Sequence, residues 1–138
     1  MEFSGKKVTV VGTGISGIGA VGLLNAVGAE VVLYDGNEKL KIEDIEKKLG
    51  TYKAEIVLGE LTKELTDSSD LLVISPGVPI DSPVVKAFEA AGVPVWGEVE
   101  LAYAFDKGKV LAITGTNGKT TTTALVGQIV GAYHKDTS

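Results

Sequence analysis

The sequence predicts an α/β protein: a doubly wound parallel sheet followed by the opening of a second α/β unit. Three observations predict it. Short apolar, β-branched runs alternate along the chain with stretches of helical spacing. The runs are apolar at successive positions, so both faces of their sheet are covered, as in parallel sheets. Two glycine-rich turns, Gly12-Thr13-Gly14-Ile15-Ser16-Gly17 and Gly115-Thr116-Asn117-Gly118-Lys119-Thr120-Thr121, each follow a strand and open a helix.

Lys7 to Val11 is the first strand, ending in glycines. Ile15 to Val27 has helical spacing, with Gly28 placed for a left-handed C-terminal cap. Glu30 to Tyr34 is the second strand, stopped by Asp35-Gly36-Asn37. Glu38 to Leu49 reads as an amphipathic helix with Leu40, Ile42, Ile45 and Leu49 on one side and Gly50 ending it. Glu55 to Leu58 and Leu71 to Ile74 are the third and fourth strands, the latter closed by Ser75-Pro76-Gly77. Ser82 as N-cap and Pro83 at the first helical position open a helix to Ala91, and Val93 to Trp96 is the fifth strand. With right-handed crossovers these elements form a Rossmann-like domain over residues 1–97. Residues 98–109 read as a connecting helix, Glu98 to Phe105, and a linker. Residues 110–138 read as the start of a second domain: strand 110–114, the second glycine turn, and a helix from Thr120.

The composition narrows the function. In 138 residues, 44% are apolar and 22% charged, which suits a globular protein. A net charge of −5 without a basic stripe argues against a nucleic-acid partner. The lysines at 39, 41, 47 and 48 alternate with acidic residues and read as a solvated helix face. There are no cysteines, which excludes disulfides, thiolate metal sites and cysteine nucleophiles. Neither a signal-like opening nor an apolar run of membrane-spanning length is present, so the expectation is a cytoplasmic protein without a membrane partner.

The first glycine turn has the context of a dinucleotide fingerprint. Gly12 allows a tight turn, Gly14 lets a pyrophosphate approach the backbone, and Gly17 lets the helix pack on the sheet. The helix start offers free N–H groups to phosphates. Asp35, about 20 residues on, completes the pattern and suits ribose hydroxyls, although Asp-Gly-Asn is also good turn chemistry. Ser75 and Gly77 fall on the same carboxyl edge, where they either contact phosphate oxygens or simply form a turn. The second turn departs from strict Walker spacing, with Ile113 where a glycine is expected and Gly115 in a shorter loop. Its chemistry survives: backbone N–H groups wrap phosphates, Lys119 reaches the β- and γ-phosphates of ATP, and Thr120 ligates Mg²⁺. Trp96 and Tyr103 read as packing residues, and His134 as a solvated terminal one.

Val8 to Gly17, Gly28-Ala29-Glu30-Val31, Asp35, Ser75-Pro76-Gly77-Val78-Pro79, Gly97-Glu98-Val99-Glu100-Leu101 and Ile113 to Thr121 occur in the order found in Mur ligases. The chain resembles that family, nearest its D-glutamate-adding branch, over almost its whole length. The resemblance implies an ATP-dependent carboxylate–amine ligase that adds D-glutamate to UDP-N-acetylmuramoyl-L-alanine in peptidoglycan biosynthesis, and so serves cell-wall biogenesis, cell shape and cell division. It implies that residues 1–97 bind the UDP precursor instead of a nicotinamide dinucleotide. Gly12, Gly14, Ser16, Gly17, Ser75 and Gly77 would hold the diphosphate, and Gly14, Ile15, Asp35 and Gly36 would frame the uracil. ATP would lie on Gly115, Thr116, Asn117, Gly118, Lys119, Thr120 and Thr121, with Lys119 and Thr120 catalytic and Thr120 on Mg²⁺.

Family members are much longer than this chain. They carry the rest of a central ATPase domain, further Mg²⁺ ligands, a modified lysine and a third domain, and residues 131–138 depart from their pattern. The expectation is an N-terminal portion with little or no ligase turnover, whose strand 110–114 frays or pairs with another copy of the chain. A rival reading is a non-catalytic NAD(H)- or ATP-binding module, since the first turn and Asp35 satisfy the nicotinamide fingerprint unaided. A redox enzyme is the weakest reading, because no second domain supplies a substrate site.

Overall fold

The computed structural model describes residues 2–105, together with residues 124, 125, 128 and 129. The expected strand 110–114, the second glycine turn with Lys119 and Thr120, and His134 lie outside the described residues. The chain divides into two compact units, Met1–Asp106 and Lys107–Ser138. The sheet and its helices belong to the first of these.

Five parallel strands form one sheet: β1 (Lys7–Val11), β2 (Glu30–Asp35), β3 (Glu55–Leu58), β4 (Leu71–Ile74) and β5 (Val95–Gly97), in the order β3-β2-β1-β4-β5. Between them run α1 (Ile15–Ala26), α2 (Ile42–Leu49), α3 (Lys63–Ser68) and α4 (Pro83–Ala90), and α5 (Glu98–Phe105) follows β5. The period-2 geometry of strands sorts the side chains to two faces. Val8, Val10, Val31, Leu33, Leu71 and Val73 pack with Ala20, Val21 and Leu24 of α1, Ile45 and Leu49 of α2, and Leu101 of α5. Val11, Val32, Tyr34, Leu72 and Ile74 pack with Leu65 of α3 and with Val85 and Phe88 of α4. Each buried Val, Leu, Ile or Phe side chain among these contributes about 1.5–3 kcal/mol. Helices on both faces are why the strands are apolar at consecutive positions. The expected doubly wound, Rossmann-like sheet is therefore present.

Several boundaries differ from expectation. The helix expected from Glu38 begins only at Ile42. Asp35 Oδ1 accepts from the Asn37 N–H at 3.0 Å and Asn37 Oδ1 from the Lys39 N–H at 3.1 Å, and such local side-chain bonds compete with a helical turn. Helix α3 was not expected. It has 6 residues, too short to show a period, and its signal is Thr62, whose Oγ1 accepts from the Leu65 N–H at 3.3 Å. Ser82 and Pro83 do open α4, but the Ser82 hydroxyl makes no cap hydrogen bond and lies buried without a partner. The fifth strand starts at Val95, two residues late, because the Val93 N–H still bonds the Phe88 carbonyl at the end of α4. Gly28 has φ +77° just beyond α1, the left-handed stop the sequence suggested.

Helix α5 packs into this unit. Leu101 is buried, and Phe105 meets Phe3 at 4.6 Å in a tilted pair, while Phe3 also meets Trp96 edge-on at 6.0 Å. Trp96 is thus a packing residue as expected, whereas Tyr103 is 68% exposed, on the outer side of α5, and does not pack. No helix among the described residues is long and apolar enough to cross a membrane.

Candidate functional site: the carboxyl edge at the β1–β4 switch point

The chain leaves β1 in one direction to build β2 and β3, then crosses back to add β4 and β5 on the other side. This reversal opens a crevice at the carboxyl ends of β1 and β4, the usual ligand position in open α/β sheets. The pairing register brings Val11 beside Tyr34 on one side and Ile74 on the other, and Ile74 beside Gly97. The end of β2 and the residues following the other strands therefore lie along one edge: Asp35 and Gly36, Gly12, Ser75, then Glu98.

The first glycine turn is fixed by very close packing. Gly12 adopts φ +109°, and its N–H bonds the Tyr34 carbonyl at 2.9 Å. A Cβ on Gly12 would stand 2.8 Å from Ser75 Oγ, and a Cβ on Gly17 would stand 1.9 Å from the Gly12 carbonyl oxygen. These two glycines let α1 begin directly against the turn. Gly14 is the N-cap of α1, contributes no side chain, and has no acidic residue after it in the first turn. The leading N–H groups of the helix are thus left for an anion. A Cβ on Gly14 or on Gly77 would meet nothing within 4 Å, so packing inside the chain explains neither glycine. Ile15 is 95% exposed and Ser16 is exposed beside it.

Asp35 braces the turn. Its Oδ2 accepts from the buried Thr13 hydroxyl at 3.0 Å and its Oδ1 from the Asn37 N–H, while Gly36 lies exposed beyond it. Thr13 was not singled out as a site residue. Its position between Gly12 and Gly14 is its only sequence signal, and only the fold shows it reaching Asp35. Behind the turn, the Tyr34 hydroxyl donates to the Gly59 carbonyl at 2.7 Å. Burial first, and then the Asp35 charge, raise its pKa above the ordinary 10.0.

Ser75 closes the other side. Its N–H bonds the Val11 carbonyl at 3.3 Å and its carbonyl accepts from Val78 at 2.9 Å, so the turn is held by backbone alone. The Ser75 hydroxyl oxygen is buried with no partner among the described residues. An unpaired buried hydroxyl costs about 1–3 kcal/mol, a cost that a phosphate oxygen would remove. Gly12, Gly14, Ile15, Ser16, Gly17, Asp35, Gly36, Ser75 and Gly77 thus stand together on one edge.

Two depressions lie elsewhere on the molecule. One of about 490 Å³ lies between α3 and α4 beside Lys63, Thr66 and Ala87. Another of about 640 Å³ lies at the amino ends of β2 and β3, beside Asn25 and Lys53. Neither touches the glycine turn. An anion at a helix start is held by backbone N–H groups more than by enclosure.

Residues 6–97 match the family described as Mur ligase MurD-like, N-terminal domain. The chain is 66% identical over 137 residues to the UDP-N-acetylmuramoylalanine–D-glutamate ligase of Lachnospira eligens, covering 99% of this chain and 30% of that protein. It is 56% identical over 136 residues to the ligase of the same name from Lachnoclostridium phytofermentans, again covering 30% of it. Among solved structures, a pseudomurein peptide ligase type C from Methanothermus fervidus is 28% identical with a TM-score of 0.58, over 91% of this chain and 26% of that one. A shikimate dehydrogenase from Aquifex aeolicus, 15% identical with a TM-score of 0.52 over 80% of this chain and 52% of that one, shares the fold alone. The chain spans about 30% of the length of the curated relatives it matches.

Proposed function

The chain belongs to the MurD-like Mur ligase family, and from this we propose that its first unit binds the UDP end of UDP-N-acetylmuramoyl-L-alanine for the ATP-dependent addition of D-glutamate. The observation that carries the reading is the switch-point edge itself. An uncapped helix start, the unpartnered Ser75 hydroxyl and the open approach over Gly14 and Gly77 converge where a diphosphate would sit. The exposed Ile15 offers an apolar surface to the uracil ring, with Gly36 beside it. Asp35, an acceptor, suits the N–H and O–H groups of a uridine and would repel a phosphate.

The remaining chemistry is proposed from sequence. Residues 115–121 would hold ATP, Lys119 the β- and γ-phosphates, and Thr120 the Mg²⁺ that neutralises their charge. The precursor's terminal carboxylate oxygen attacks the γ-phosphorus, giving an acyl phosphate and ADP. The amine of D-glutamate then attacks the acyl carbon, and inorganic phosphate leaves as the peptide bond forms. Positioning and charge neutralisation are the demands on the protein. Such a ligase acts on cytoplasmic nucleotide precursors, which sets the expected location.

Calorimetric titration of the 138-residue chain with UDP-N-acetylmuramoyl-L-alanine tests the reading, with NADH in parallel. Binding of the uridine ligand, weakened by Asp35→Ala, is expected. Heat with NADH and none with the uridine ligand would overturn it in favour of a dinucleotide module.

A further inference from the structure

Glu98 is the last member of the row of residues on the carboxyl edge. It directly follows Gly97, which pairs with Ile74, just as Ser75 directly follows Ile74. One of its carboxyl oxygens, Oε1, is buried and has no hydrogen-bond partner among the described residues. Ser75, which follows the strand residue paired with Gly97, also carries an unpartnered oxygen, as does Ser82 at the start of α4. A carboxylate oxygen removed from water without a donor is costly, and removal of a partner from a buried charge is among the most destabilising of changes. Such an atom calls for a donor that the described residues do not supply.

A role at the start of α5 does not account for it. Glu98 does sit in the first turn, where a negative charge favours the helix dipole. The hydrogen bond that ties this helix start to the preceding strand is made by Glu100, whose Oε2 accepts from the Gly97 N–H at 2.5 Å. That backward reach is what an acidic residue in a capping box provides. A dipole interaction would also be met by an exposed carboxylate and gives no reason to bury an oxygen.

Placement gives the reason. Helices α1 and α5 follow β1 and β5 from the same edge of the sheet, and both pack on the same face of it. Their N-terminal ends therefore open side by side, and Glu98 lies on the β5 side of the anion shelf at α1. Asp35 lies on the opposite, β2 side. A UDP-sugar whose uridine is held at Asp35 and whose diphosphate is held between Gly14 and Ser75 would extend its sugar toward β5. We infer that Glu98 is a specificity residue for that half of the ligand, accepting a hydrogen bond from a hydroxyl or amide N–H of the sugar–amino-acid portion.

The inference rests on the proposed UDP-precursor reading and goes beyond it, because it assigns a contact to the non-nucleotide half. A carboxylate there accepts from neutral donors and repels a further phosphate, so it favours a sugar carrying hydroxyl and amide groups over a longer phosphate chain. No covalent step is involved.

The test is calorimetry on the 138-residue chain with two probes, UDP and UDP-N-acetylmuramoyl-L-alanine. The unsubstituted chain should bind both, the precursor more tightly. Glu98→Gln should weaken the precursor about tenfold or more, as expected for a lost hydrogen bond to a charged group, and leave UDP unchanged. Glu98→Asp keeps the charge at the helix start but withdraws it by one methylene, and should lose the same increment. UDP binding shows in each case that the variant is folded. Retention of the precursor increment in Glu98→Gln or Glu98→Asp, or an equal loss on both probes, would overturn the inference and leave the UDP reading intact. Failure of the unsubstituted chain to bind UDP would overturn the reading beneath it, and the inference with it.

Discussion

Gly17 carries the sharpest steric constraint at the site. With the Gly12 carbonyl oxygen 1.9 Å from where its Cβ would stand, Gly17→Ala must displace either the turn or the helix start. Overpacking of this kind costs about 1–3 kcal/mol. A lower melting temperature and a loss of UDP binding greater than the stability change explains are expected; unchanged affinity would contradict the shelf. Asp35→Ala removes the acceptor for the Thr13 hydroxyl and the Asn37 N–H together, so it should weaken uridine ligands more than inorganic pyrophosphate in competition titrations. On the opposite edge, the Lys7 N–H donates to Asp70 Oδ2 at 2.9 Å and Lys6 pairs with Oδ1 at 3.4 Å. The backbone bond from Lys7, and then Lys6, hold the Asp70 pKa below its ordinary 3.8. A depressed carboxylate contributes stability that is present above the ordinary value and lost as pH falls through the folded one. Asp70→Asn should therefore melt lower at neutral pH and show a flatter decline below about pH 4. Parallel melting-temperature profiles for the two proteins would refute this.

At the scale of elements, the legibility of each one in the sequence depends on how far its signal extends along the chain. Strands β1, β2, β3 and β4 and helix α1 are apolar or periodic runs ended by turn residues, and each lies within a residue of where it was expected. The late start of α2 and the existence of α3 turned on single side chains, Asn37 and Thr62, whose capping choice depends on neighbours brought in by the fold. Asn25 shows the same limit. Its amide accepts from the Lys53 N–H at 2.6 Å and donates to the Lys53 carbonyl at 2.9 Å, pinning the α2–β3 connection to α1 across 28 residues of chain. Asn25→Ala is expected to cost about 1–2 kcal/mol. It should also speed amide exchange at Lys53; unaltered exchange there would count against the clamp. In the core, Leu24→Ala on α1 leaves a void beneath a wholly buried side chain and should cost about 2–5 kcal/mol in urea unfolding.

For the whole molecule, the order and spacing of apolar runs determined a doubly wound sheet, because strands covered on both faces have few other ways to bury their side chains. The same order put the first glycine turn at the carboxyl end of β1, and the motifs in sequence pointed to the family that residues 6–97 match. Sequence proximity also made Gly12, Gly14 and Gly17 readable as one feature. Only the tertiary structure decided which distant residues complete it. Ser75 meets Gly12, Thr13 meets Asp35, and Glu98 takes its place beside Ser75 because β4 and β5 return to the far side of β1. Whether a hydroxyl or carboxylate finds a partner depends on that return, since hydrogen bonds form between neighbours in space. Local patterns encode what a segment becomes, and the crossover at the switch point determines what its side chains meet.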